Sequence, residues 1–319
     1  GQSAGDGALP ARPGISVKLS ALHPRYEAVN RDRVMVELVP AMIELARAAK
    51  AYDLNMTIDA EEADRLQLSL EVFAKVAADA SLRGWDGFGL AIQAYQKRAP
   101  AVIDHVVALA EALDRRFMVR LVKGAYWDTE IKRAQERGLA DYPLYTRKAA
   151  TDLSYLVCAQ RLLAARPRLY PQFATHNAVT AATVIELAGD DKAFEFQKLH
   201  GMGDSLYRQL TEEGGQPCRV YAPCGGHKDL LAYLVRRLLE NGANSSFVAA
   251  VGDPKVEVAT LLKRPEDVLA HGERARHARI PLPSALFGAR QNSRGVELGD
   301  DAARSALVAA VAAEGTAFG

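Results

Sequence analysis

Cysteine is scarce: Cys158, Cys218 and Cys224 are the only three in 319 residues. An odd, scattered trio excludes a disulfide framework and a four-thiolate zinc site, and predicts reduced thiols in a cytoplasmic compartment. An excess of one charge is also missing. Lys+Arg 40 against Asp+Glu 39 leave a formal +1, so no overall field favours nucleic acid or an anionic membrane, and no nucleic-acid partner is expected. No apolar run reaches the roughly 18 residues a bilayer span requires. The opening GQSAGDGALPARPG lacks the basic start and apolar stretch of an export signal. Gly-x-Gly-x-x-Gly is absent as well. The nearest run, Gly84-Trp85-Asp86-Gly87-Phe88-Gly89, has the wrong spacing and leads into a strand, which argues against a dinucleotide fold.

What remains has the balance of a soluble globular protein, 49% hydrophobic and 25% charged. Residues 1–14, rich in Gly, Ala, Ser and Pro, predict a flexible arm. From Ile15 one theme repeats: a short apolar segment followed by a longer one with three- and four-residue apolar spacing. Strands are expected at Ile15–Ala21, Asn55–Glu61, Phe88–Tyr95, Phe117–Gly124, Tyr170–Asn177, Phe194–Gly201 and Cys218–Cys224. Helices are expected between them, including Arg33–Ala51, Glu62–Ala78, Ala101–Leu113, Tyr145–Ala165, Thr180–Ala188 and Leu230–Asn241. Such alternation implies α/β architecture with a parallel sheet. Seven units suit a (β/α)8 TIM-type barrel with one strand missing, expected to be the first. The barrel should occupy residues 15–250, and 251–319 should form a connector and terminal helix.

Active sites of such barrels form where the strands end. Here those ends carry Lys18, then Asp59, Glu61 and Glu62, then Gln93, Arg120 and Lys123, and later Thr175-His176-Asn177, Gln197-Lys198-Leu199-His200 and Tyr221. Any one of them could be a solvated or packing residue. A metal site from His176, His200, Asp59 and Glu61 lacks tight ligand spacing such as His-x-His. A Schiff-base aldolase through Lys18 or Lys123 is chemically reasonable, and a non-catalytic piece of a barrel is the third reading.

Several longer runs narrow the choice. PGISVKLSALHPRY, IDAEEADRL, IQAYQKR, VRLVKGAYWD, YPQFATHNA, LHGMG and YLVRRLLENGANSSF resemble, in order, the proline dehydrogenase module of the bifunctional proline-utilization (PutA) flavoproteins. The similarity resumes at IPLPSALFGARQNSRGVELGD. It implies a barrel that binds FAD non-covalently and oxidises L-proline to Δ1-pyrroline-5-carboxylate. A hydride passes to flavin N5, and the electrons go on to a quinone. It also implies weak peripheral contact with the inner membrane and, in the parent polypeptide, an aldehyde dehydrogenase domain beyond the connector.

The resemblance carries roles position by position. Arg236 and Arg237 correspond to the pair that clamps the proline carboxylate, as planar guanidinium groups can, and Lys18 is a further cation near it. Asp59, Tyr126 and Tyr221 correspond to polar residues beside the substrate, and Leu199 to an apolar wall. Asp59 is either a base or part of an ion pair that holds the pocket. Gln93 and Arg120 correspond to residues near flavin N5, and Lys123, Gly124, Ala125 and Trp127 to the loop along the cofactor. Thr175, His176 and Asn177 match the segment that meets the pyrophosphate, and Glu240, Ser245 and Ser246 match contacts at the nucleotide end.

Overall fold

The computed structural model describes residues 8–226, 228, 230–231, 233–235, 250, 253, 255–270 and 276–315. Seven strands run β1 Gly14–Val17, β2 Asn55–Ile58, β3 Phe88–Gln93, β4 Phe117–Val122, β5 Leu169–Ala174, β6 Glu195–Leu199 and β7 Cys218–Tyr221. Every pair of neighbours is parallel and the sheet order follows the chain. After the short turn α1 Leu19–Leu22, the helices are α2 Arg31–Ala51, α3 Leu66–Ala77, α4 Ala99–Ala112, α5 Trp127–Glu136, α6 Lys148–Ala164, α7 Ala178–Ala188 and α8 Asp204–Arg208. Beyond them lie α9 Val258–Leu261, α10 Pro265–Leu269 and α11 Asp301–Gly315.

Period-two alternation explains which way each strand faces. One set of side chains, including Met56, Ile58, Phe88, Leu90, Ile92, Phe117, Val119, Leu121, Phe173 and Phe196, is apolar and buried in the main core with residues of the helices. Phe73 of α3 stacks on Phe88 and meets Phe117 edge-on, joining a helix to two strands. The intervening set is polar and equally buried: Asn55, Thr57, Gln93, Arg120, Gln172, Glu195 and Gln197. These polar residues face one another because the sheet curls. The Arg120 guanidinium on β4 reaches Ser16 of β1, Asp59 just beyond β2 and Gln197 of β6, and lies over the Tyr221 ring of β7.

The curl stops one strand short of the eight that close such a barrel. Among the described residues no strand joins β7 to β1. Ile15 and Val220, on the outer faces of those edge strands, are 53% and 52% exposed. Arg219 spans part of this gap. Its guanidinium holds Glu195 through Nε at 2.7 Å and Nη2 at 2.9 Å, and also donates to the carbonyls of Pro10 and Arg12, just ahead of β1. The C-terminal segment 276–304 wraps the outside of the barrel. Tyr142 Oη donates to Pro281 O at 2.7 Å, Gly295 N donates to Gly138 O at 3.0 Å, and Arg137 pairs with Glu297 at 3.0 Å.

The expected strands start within a residue of the observed ones but end later. Ile15–Ala21 gives way at Lys18 to the turn of α1, and Asn55–Glu61 leaves the sheet after Ile58. Of the expected helix Leu230–Asn241, residues 232 and 236–241 lie outside the described residues.

Candidate active site

Arg120 is the hub of the lumen. Nη1 donates to Asp59 Oδ1 at 2.7 Å, Nε to Gln197 Oε1 at 2.7 Å and Nη2 to Ser16 Oγ at 2.6 Å. Three bonds from one rigid fork fix the guanidinium plane and supply the charge that makes a partly buried Asp59 tolerable. Gln197 in turn donates to Glu195, which Gln172 and Arg219 also hold, so a second polar layer supports the first.

Asp59 has two further neighbours at the rim. Tyr221 Oη donates to Asp59 Oδ2 at 3.3 Å, and Lys18 Nζ stands 3.8 Å from the same oxygen. Lys18 also donates to Tyr126 Oη at 3.0 Å. Burial pulls the Lys18 ammonium towards neutrality, but Asp59, Tyr126 and Glu61 together outweigh it and raise its pKa above the ordinary lysine value. Tyr221 is pushed up by burial and then by the Asp59 charge, which keeps its hydroxyl protonated as a donor. The rim therefore presents a fixed cation, two phenols and an oriented carboxylate within one patch.

Gln93 closes this patch from below. Its Nε2 donates to Glu61 O at 2.8 Å and its Oε1 accepts from Ala125 N at 3.1 Å, so one buried amide joins the loop after β2 to the loop after β4. Gly124 sits in that second loop at φ +148, and a Cβ there would drive into the ring of Tyr95. Glycine is needed for the close approach. Trp127 opens α5 and donates from Nε1 to Tyr145 O at 3.0 Å, packing on the smaller cluster of Tyr95, Ile131, Ala134, Leu139, Tyr142 and Leu144. Lys123 points to the other side of its strand. It pairs with Asp152 of α6 beside the Tyr155 ring, and burial lowers its pKa despite Asp152.

The turn after β5 gathers the next three expected residues. Asn177 Oδ1 caps α7 by accepting from Thr180 N at 3.0 Å, and Thr175 Oγ1 accepts from Asn177 N at 3.1 Å. His176 Nε2 accepts from Leu199 N at 3.2 Å, which ties the α7 entrance to the end of β6 and places Leu199 beside it. Arg236, Arg237, Glu240, Ser245 and Ser246 lie outside the described residues.

A family model described as proline dehydrogenase matches residues 2–250. The chain belongs to the proline dehydrogenase family. The bifunctional protein PutA of Salmonella typhimurium is 52% identical over 314 residues, which are 94% of this chain and 24% of that one. Proline dehydrogenase 1 of Bacillus subtilis is 31% identical over 205 residues, 63% of this chain and 59% of that one. A crystal structure of a Bradyrhizobium japonicum proline utilization A variant matches with TM-score 0.95 and 66% identity, covering 97% of this chain and 32% of that one. The chain thus spans about a quarter of the length of the bifunctional relatives it matches.

In the lumen of this family member, the structure brings Lys18, Asp59, Tyr126, Tyr221 and Arg120 together, and ties Gln93 and Ala125 to each other and to the loop that follows Asp59. Lys123 turns outward instead. Sequence reasoning passes over Ser16, Glu195, Arg219 and Glu130, and notes Gln197 only as one polar residue of a strand end without a role. Ser16 and Gln197 stand two positions before Lys18 and Leu199, so strand alternation carries the signal for both. Nothing local signals Glu130, whose side chain bonds a residue 67 positions away.

Proposed function

We propose that this chain oxidises L-proline to Δ1-pyrroline-5-carboxylate at the open end of the lumen, using non-covalent FAD. The observation that carries this reading is the rim patch of Lys18, Tyr126, Tyr221 and Asp59 on the Arg120 hub, in a chain of this family. Proline is a small zwitterion, and the patch offers a cation for its carboxylate and an oriented anion for its ammonium. Lys18 draws in the carboxylate, and Arg236 and Arg237 complete a clamp around it. The Asp59 oxygens are already engaged by Arg120, Tyr221 and Lys18, which suits it to orient the ring nitrogen rather than to carry a proton away. Oxidation takes a hydride from a ring carbon beside nitrogen and releases a proton from nitrogen to solvent, making C=N; nitrogen has two such carbons, so holding nitrogen and carboxylate together defines which one reacts.

The donor set fits FAD. His176 at the entrance of α7, with Thr175 and Asn177, offers donors and the positive end of a helix dipole to a pyrophosphate. Arg120 would supply a buried, immobile cation of the kind a reduced ring system needs, Gln93, Gly124, Ala125 and Trp127 would border the ring while Lys123, turned to Asp152, would not, and Leu199 would supply an apolar wall. Glu240, Ser245 and Ser246 complete the nucleotide end. When bound, FAD supplies the acceptor for two electrons. Lys18 and Lys123 serve a Schiff-base enzyme poorly. The first is held as a cation, and the second is pinned to Asp152 on the outer side of β4.

Quinone is the onward acceptor in this reading. Contact with a quinone-bearing membrane is peripheral and weak in this reading; among the described residues no helix is long and apolar enough to cross a membrane. Segment 251–319 connects, in the parent polypeptide, to an aldehyde dehydrogenase domain that oxidises the ring-opened product. The testing experiment is turnover of the FAD-loaded chain with proline and a soluble quinone analogue, trapping the cyclic imine chemically. The expected result is imine formation with the quinone and none when NAD replaces it. Proline-dependent NADH formation by this chain alone would refute the assignment.

A further inference from the structure

Two loops hold the rim: residues 59–65 after β2, which begin with Asp59, and residues 123–126 after β4, which end with Tyr126. The distance between them sets how Lys18 can meet both partners at once. Gln93 joins the loops from below, through Glu61 and Ala125. A second link runs through Glu130. Its backbone N donates to Tyr126 O at 2.9 Å, closing the first turn of α5, while its side-chain Oε1 accepts from Ala63 N at 2.5 Å. Ala63 is gripped on its other side as well, since Arg98 Nη2 donates to Ala63 O at 2.8 Å. Glu130 and Ala63 are both 3% exposed.

Burying a carboxyl is costly compared with an apolar side chain of the same size. Packing of α5 does not call for one here, because Ile131 and Ala134 already fill the apolar face towards Tyr95. What the carboxyl adds is an acceptor for one specific amide across the gap between the loops. We propose that Glu130 is a positioning residue for substrate binding: by bridging Tyr126 to Ala63 it fixes the spacing of Tyr126 and Asp59 around Lys18. The inference rests on the proline-oxidising reading of this site.

The test uses the full FAD-loaded chain with Glu130→Met, which keeps the volume and removes the acceptor, and Glu130→Gln, which keeps an acceptor oxygen. Proline KM and kcat are measured beside flavin content, and hydrogen exchange is followed in the peptide that contains the Ala63 amide. The expected result is a roughly tenfold rise in KM for Glu130→Met with a much smaller change in kcat, flavin content retained and faster exchange at Ala63. Glu130→Gln should recover most of the KM and the slow exchange. Parental KM and exchange in Glu130→Met would overturn the inference. So would equal impairment, or loss of folding, in both variants, since a general need for the charge or for packing predicts that. A parent that protects Ala63 but does not turn over proline overturns the functional reading alone.

Discussion

Glu130 shows at the level of one residue how a bonding role conflicts with burial. Desolvation raises its pKa to about 7, and the negative charges of Glu62 and Glu297 add to this, while the Ala63 amide and Arg98 oppose it. The phenol of Tyr95 faces the same charge. A carboxyl with a folded pKa above its unfolded value of 4.5 binds more protons in the folded state across that interval. Its contribution to stability is therefore intact below about 4.5 and is lost as pH rises through about 7, on the order of 3 kcal/mol in total. Glu130→Gln has no such term. The difference in melting temperature, variant minus parent, should climb with pH through this window and level off above it. A difference that is flat with pH would contradict the burial argument. This property is invisible in GAYWDTEIK, where Glu130 reads as an ordinary first-turn acid of a helix; its distant partner Ala63 decides it.

At the level of strands and helices, much of the fold is legible because alternation survives in every strand. Phe117, Val119 and Leu121 meet helices while Met118 and Arg120 face the lumen, so a seven-unit parallel sheet follows from pattern alone. Strand ends are legible less well. Asp59 to Glu61, Lys123 to Gly124 and Thr175 to Asn177 continue the apparent runs, yet the backbone leaves the sheet ahead of them, which puts Asp59 at the rim and Asn177 at the cap of α7 while Lys123 turns outward. The gap between β7 and β1 makes Arg219 the most exposed test of the sheet's closure. Replacing it by Met removes the main partner of Glu195, which is 3% exposed, and leaves, among the described residues, the amides of Gln172 and Gln197. Breaking a buried pair from one side costs about 3–5 kcal/mol, and the surviving donors place this case near the lower figure. Urea unfolding of Arg219→Met should show that loss as a lower midpoint with an unchanged slope; a parental midpoint would mean the link across the gap carries no weight.

For the molecule as a whole, the proposed reaction uses a lumen rich in buried polar side chains inside an apolar shell, with its charged patch at the end where the strands stop. The candidate residues Lys18, Asp59, Arg120 and Tyr221 could be named from strand-end chemistry and the family resemblance. Their mutual bonds could not, because each joins different strands across the lumen. The decisive measurement is anaerobic reduction by L-proline of the chain loaded with FAD, followed at about 450 nm, in the parent and in Lys18→Met. The parent flavin should bleach. Lys18→Met should need roughly tenfold more proline or beyond, as expected for losing a charge-assisted contact worth about 1.5–3 kcal/mol. A parent flavin that proline does not bleach, or a Lys18→Met protein that responds to the same proline concentrations as the parent, would contradict the account.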